Sequence, residues 1–294
     1  MSKTAKKPVN RAYRFTGYAL SLVIICVLGL TYSKAQHMMA NHMLLKGIEK
    51  HDAPTVIKAL NQGANPNTIE EHLRDENDPP EQFGVREVLK ELTGKAPQSD
   101  GWTALMLAAN YGETDVVKAL LDRKAAINAQ NKNGDTALMF AATEGHTAVV
   151  RLLLQSGADV NLASNDAATA LSWAAHDGRT ETVRLLLERG ANVNTSDTEG
   201  NTPLLDAVTG RQCEVVKLLL SKGAKTEAKS SDFDYPLAAA ADGGDYEIVK
   251  ALIAGGADVN AIDQKGPSPI WTAKMAGHPE IVALLKQAGA KEEK

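Results

Sequence analysis

The polar and apolar positions of this chain alternate in blocks that fit helices and leave little room for strands. In the stretch Gly134 to Asn161, Leu138, Ala141 and Ala142 form a short, narrow apolar face, and Gly145 follows it. Val149, Val150, Leu152, Leu153 and Leu154 then make a second helix, apolar on more than one side, and Gly157 closes it. A helix apolar on two sides must be covered by two neighbours. The stops and starts recur. Gly157, Gly190, Gly223, Gly256 and Gly289 stand 33 residues apart, as do Thr103, Thr136, Thr169, Thr202, Tyr235 and Ser268. Self-similarity at such a period is the signature of a solenoid of stacked supersecondary units.

Elementary helix chemistry explains the recurring residue types. Thr136 is an N-cap whose hydroxyl can accept from an orphan amide of the first turn. Pro203 and Pro269 follow their caps at the first helical position, where a missing N–H costs little. Gly145 and Gly157 suit the left-handed residue that ends a helix. Six full units are expected, at roughly 100–132, 133–165, 166–198, 199–231, 232–264 and 265–291. Leu44 to Asn67 reads as a degenerate unit before them: Gly47 and Ile48 replace an alanine pair, and His51 replaces the glycine stop. Lys124 also occupies a glycine position, at a cost of about 1–2 kcal/mol if it is left-handed. The first full unit is therefore expected to be weak.

Thr202-Pro203-Leu204, Gly145-His146, Val149 to Leu154 and Gly157-Ala158-Asp159-Val160-Asn161 together resemble the ankyrin repeat. The resemblance implies an all-α solenoid of helix-turn-helix units joined by short hairpin-like turns. Met106, Met139, Ser172, Leu205, Ala238 and Trp271 stand where the family usually has histidine, which implies looser turns. It also implies a non-enzymatic module that binds a partner protein on a concave surface. By position, that surface takes Asp100, Trp102, Lys132, Asp135, Asp166, Glu199, Asp232 and Asp234 from the turn tips. Tyr111, Glu144, His176, Asp177 and Asp242 come from the ends of the short helices. Acidic residues dominate this set, so a basic partner is expected, with Trp102 and Tyr111 as an aromatic anchor at one end. Several of these aspartates could instead brace the turns they belong to.

Outside the repeats, Phe15 to Ser33 runs 19 residues without a charge, behind the basic residues Lys3, Lys6, Lys7, Arg11 and Arg14. At 1.5 Å per residue it spans roughly 28 Å, enough for a hydrocarbon core. The expectation is a transmembrane signal-anchor at 15–33, with residues 1–14 as a cytoplasmic tail and the repeats facing the periplasm or exterior of an inner membrane. Ser33-Lys34-Ala35 also has the form of a cleavage site, which would leave a secreted or periplasmic chain. Residues 36–41 read as a spacer. Residues 68–99 break the rhythm as an acidic insertion, with Val85, Val88, Leu89 and Leu92 at helical spacing.

Charge and chemistry narrow the picture. The formal charge is −4, and with the six basic residues of 1–35 set aside the rest holds 26 basic against 36 acidic residues. Such a surface does not suit a phosphate backbone, so nucleic acid is not expected as a partner. Neither phosphate-loop glycine spacing nor Cys/His metal-ligand spacing occurs, and no cofactor or small-molecule substrate is evident. His37, Met38, Met39, His42 and Met43 are ligand types for Cu(I), which keeps metal handling as an alternative, beside a redox role for Cys213 and a purely structural envelope tether. His146 and His278 are expected to brace turns. His176, Asp177 and Asp206 have residue types of a catalytic triad, but the pattern places no activated serine or cysteine near them.

Overall fold

A computed structural model describes residues 36–68, 101–227, 235–261 and 267–291. Fourteen helices in seven antiparallel pairs make up these residues. The pairs are α1 (36–49) with α2 (Ala53–Asn61), α3 (Ala104–Asn110) with α4 (Thr114–Asp122), α5 (Ala137–Glu144) with α6 (Thr147–Gln155), and α7 (Ala170–His176) with α8 (Thr180–Glu188). They continue as α9 (Pro203–Thr209) with α10 (Cys213–Ser221), α11 (Pro236–Gly243) with α12 (Tyr246–Ala254), and α13 (Pro269–Met275) with α14 (Pro279–Gln287). Among the described residues there is no strand, and the pairing of Ala163 with Thr169 is a single antiparallel bridge. The segment 15–33 and residues 69–99 of the insertion lie outside the described residues. Among those described, no helix is long and apolar enough to cross a membrane.

Each inner helix begins as its cap chemistry dictates. Thr103, Thr136, Thr169, Thr202 and Ser268 are extended, and each accepts a hydrogen bond from the amide three residues on. At Tyr235 no side-chain hydrogen bond caps α11, and Pro236 supplies the helical φ. The turns expected to be loose for want of histidine have substitutes. The Thr103 amide donates to Met106 Sδ at 3.3 Å, and Ser172 Oγ lies 3.4 Å from Thr169 Oγ1. Alanine then sets the spacing. Ala108, Ala109, Ala141, Ala142, Ala174, Ala175, Ala240 and Ala241 are completely buried where successive inner helices meet. Short side chains let these helices approach more closely than the bulkier outer helices, so the stack curves with the inner helices on its concave side. The outer helices bury a column of Val116, Val117, Val149, Val150, Val183, Val215, Val216 and Val249.

Side chains also stitch each pair to the next. Gly112, Gly145, Gly178 and Gly244 end inner helices with positive φ. Over them lie His146, Arg179, Gln212 and His278 of the following pair. These donate to the carbonyls of Asn110, Thr143, His176 and Asp242 at 3.0, 2.7, 3.1 and 3.1 Å. A Cβ on any of the four glycines would come within 2.8 Å of the covering side chain. Where the stop is not glycine the arrangement inverts. His51 and Arg211 are left-handed, and each side chain instead reaches a carboxylate of the next pair: Glu113 at 2.6 Å and Asp245 at 2.8 Å. The expected turn-bracing histidines are thus braces between repeats. At the other end of the repeat, Asn161, Asn194 and Asn260 donate to the carbonyls of Gly190, Gly223 and Gly289.

The first pair departs from expectation. Residues 36–41, expected as a spacer, are helical, because Ala40 continues the buried stripe of Leu44, Leu45 and Ile48. Gly47 is not mere wear: a Cβ there would lie 2.9 Å from Val56 Cγ2, so glycine is what lets α2 pack against α1. Lys124 is left-handed, with φ of 64°, as its register implied, and Ala167 adopts φ of 61° at a turn tip. At Gly157, φ is +96° and an added Cβ would meet nothing within 4 Å. Gly157→Ala is therefore expected to lower stability by about 1 kcal/mol through backbone strain alone, and Lys124→Gly to raise it by a similar amount. Thermal unfolding of both variants checks this.

Candidate functional site

The side chains four residues after each N-cap lie along the concave side of the inner helices. In order they are Leu107, Phe140, Trp173, Asp206, Ala239 and Thr272. The column begins apolar. Trp102, from the turn before α3, packs on Phe140 with ring centroids 4.0 Å apart and planes tilted by 34°. Trp173 follows one repeat on, and it is 40% exposed. Tyr111 does not join this row. It ends α3 at the far end from Trp102 and meets His51 edge-on, with centroids 5.1 Å apart. The expected single anchor of Trp102 and Tyr111 is therefore two separate features, because a helix lies between them.

The side chains at the tips and helix ends divide between buried braces and exposed groups. Asp135 is only 8% exposed and accepts from Asn131 Nδ2 at 3.1 Å, while Asn131 Oδ1 caps the amides of Asn133 and Asp135. Two tips later Asp197 takes the place of Asn131, capping the amides of Glu199 and Asn201 and accepting from Asn201 Nδ2. Asp135 thus holds its own turn and presents little surface to a partner. Lys132, Glu144, Asp166, Glu199 and Asp242 are exposed. Asp100, Asp232 and Asp234 lie outside the described residues.

His176 and Asp177 end α7 and face the next repeat. His176 Nδ1 lies 2.8 Å from Asp177 Oδ1. With Trp173 and Ser172 of the same helix, Asp197 of the turn that leads to the following repeat and Asp206 of that repeat, they line a cleft of about 360 Å³. The side chain that the sequence analysis did not place here as a site residue is Asp206. Burial pushes its carboxyl up from 3.8 to about 7, and the charge of Asp197 adds to that; His176 and a hydrogen bond from Ser172 oppose it. Its position was legible, since Asp206 stands 33 residues after Trp173 and 66 after Phe140. Its burial was not.

The sequence pattern placed no activated serine or cysteine near His176 and Asp206; the structure does bring Ser172 beside them. Its hydroxyl is committed to the Asp206 carboxyl and its residue is 8% exposed, so it is placed as a brace and not as a nucleophile. The other candidate chemistry is dispersed. His37 Nδ1 bonds the Gly63 carbonyl at 2.9 Å, Met39 is 55% exposed, and Met43 packs against the core, so these residues face different ways around α1. Cys213 opens α10 half-buried against the core. A groove of about 490 Å³ lies on the outer side between α10 and α12, with Leu220, Ala251 and Ala254 as its apolar wall and Lys217, Ser221, Glu247 and Lys250 around it.

The Asp206 environment has a consequence for stability. Between pH 3.8 and about 7 the folded chain holds a proton that the unfolded chain releases, so rising pH removes stability over that window. Asparagine resembles the protonated acid in size but does not ionise. Asp206→Asn is therefore expected to gain roughly 1–3 kcal/mol on the wild-type chain between pH 5 and pH 8. Denaturant melts of both proteins at the two pH values measure the difference.

These features agree with known proteins. A family model for ankyrin repeats matches in three copies, over residues 81–164, 161–230 and 234–294. Among curated proteins none matches the chain in sequence. In structure the chain is similar to the ankyrin repeat domain of human ASB11, with a TM-score of 0.68, covering 85% of this chain and 99% of that one at 23% identity. Likeness at that identity speaks for the fold alone. Ankyrin repeats are in general protein-interaction modules, and their fold is typically a scaffold without catalysis. With capped helix pairs stacked through alanine contacts, and with family matches over most of its length, this chain belongs to the ankyrin-repeat family.

Proposed function

We propose that the chain is a non-enzymatic binding protein that grips a partner protein through its concave face. The observation that carries this reading is the inner-helix column itself, where exposed Trp173 stands beside a largely buried carboxyl on Asp206. Water-facing indole and desolvated carboxylate both cost stability in the free chain, and both gain when a complementary surface covers them. The excess of carboxylates at Glu144, Asp166, Asp177, Glu199 and Asp242 favours a basic partner and fast, salt-sensitive encounter. The uncharged segment 15–33 behind a basic tail supports a single-pass anchor in a cytoplasmic membrane with the repeats on the outer side. Cleavage near Ala35 would release the same solenoid on that side.

The test is affinity capture with the tagged full-length chain from detergent extracts of its native cells, at low and high salt. One dominant partner is expected, eluting as salt rises. Asp166→Lys with Glu199→Lys changes two exposed tips and avoids the turn-bracing Asp135. It should reduce capture about tenfold or more while leaving the helical circular dichroism unchanged. Undiminished capture by this variant would contradict the acidic face as the contact, and capture of no partner at either salt would contradict the binding function.

A further inference from the structure

The cleft between α7 and α9 has one sign of charge and one flat wall. Asp177, Asp197 and Asp206 line it, and no lysine or arginine does. The three carboxylates are not equivalent. Asp197 accepts from the amides of Glu199 and Asn201 and from Asn201 Nδ2, so its oxygens are occupied by its own turn. Asp177 is engaged by His176. Asp206 interacts with the Ser172 hydroxyl, which leaves acceptor positions open, since a carboxylate offers about four. Beside it the Trp173 indole is 40% exposed.

These features select among cations. A divalent metal needs several oxygen ligands within bonding distance, and among the described residues no group of three or more acidic, histidine or cysteine side chains is close enough to hold one. A cleft of about 360 Å³ admits one long side chain with its adjoining backbone. An aromatic wall next to an open carboxylate suits a planar, forked cation better than a compact ammonium, because guanidinium stacks on an indole and meets a carboxylate in two parallel bonds.

We propose that this cleft is a pocket for an arginine side chain of the partner, with its guanidinium against the Trp173 indole and its N–H groups on the carboxylate of Asp206. The inference rests on the binding function proposed above and names the residue type that the concave face selects.

The pocket is also pH-sensitive. Only ionised Asp206 attracts the cation, so binding strengthens as pH rises through about 7. With one competent protonation state, apparent affinity rises about tenfold between pH 6 and pH 8. The ionisable groups around Asp206 are His176 and Asp177 on α7 and Asp197 in the preceding turn. Asp242 on α11 and Cys213, Glu214 and Lys217 on α10 are those of the other helices packed against α9. A protonated His176 would repel the same guanidinium, so Asp206→Asn and His176→Gln separate the two contributions.

Calorimetric titration of the full-length chain in detergent with the blocked peptide acetyl-Gly-Arg-Gly-amide tests the pocket, against its lysine and citrulline counterparts. Saturable binding of the arginine peptide is expected, with the lysine peptide several-fold weaker and the neutral citrulline peptide showing none. Trp173→Ala and Asp206→Asn should each weaken binding about tenfold, and Asp206→Asn should also flatten the pH dependence, whereas His176→Gln should retain it. Glu188→Gln, at an exposed position on the outer helix α8 and outside the cleft lining, should change nothing. Asp206→Asn is expected to fold at least as stably as the wild type, so its loss of binding cannot be ascribed to unfolding. Equal binding of arginine and citrulline peptides, or no saturable heat, or full binding by Asp206→Asn, overturns the arginine pocket. Partner capture that survives Trp173→Ala and Asp206→Asn undiminished overturns it too, while leaving the binding function standing.

Discussion

Each helix pair in this chain has an apolar side that only the next pair can cover. Val149, Val150 and Leu153 of α6 are fully buried, yet α6 alone with α5 could not enclose them. Closing that side demands that inner helices come near each other, and the alanine pairs permit it. Curvature, the concave face and the position of every functional candidate follow from that difference in side-chain size. Registration comes from the braces between pairs: a glycine stop covered by the next pair's His146, Arg179, Gln212 or His278, or a charged stop paired with Glu113 or Asp245. The two forms exclude each other sterically, because a side chain on the stop would occupy the space of the covering one.

A surface generated in this way repeats the same backbone position six times, and the chain uses that position differently in each repeat. Leu107 and Phe140 serve packing, Trp173 is left open, Asp206 carries a charge that its surroundings disfavour, and Ala239 and Thr272 are small. Stability alone would not place an aspartate there, since its ionisation is opposed by burial and by Asp197. A perturbed carboxyl in a cleft is the kind of feature that marks a working surface rather than a scaffold.

Much of the architecture was legible in the sequence because backbone geometry dictates residue type. The Thr and Ser caps, the glycine stops and even the strained Lys124 follow from register and sterics. What stayed hidden depends on distances between side chains more than thirty residues apart. The link from Arg179 to the Thr143 carbonyl, and the burial that raises Asp206, are not encoded in any local pattern. The candidate surface was read from turn tips and helix ends, which favoured Asp135, a buried brace, and passed over Phe140, Trp173 and Asp206. Counting four residues on from each N-cap would have found all three. Gly47, read as decay of the first unit, proved a requirement of its packing.

Site-directed photo-crosslinking in the native cells tests most directly whether the concave face is the working surface. A photoreactive phenylalanine analogue would replace Trp173 in one version of the full-length chain and Lys250, exposed on the outer helices, in another. One discrete adduct is expected from position 173 and none from position 250. An adduct from position 250 alone would place the contact on the opposite side and contradict a concave working surface.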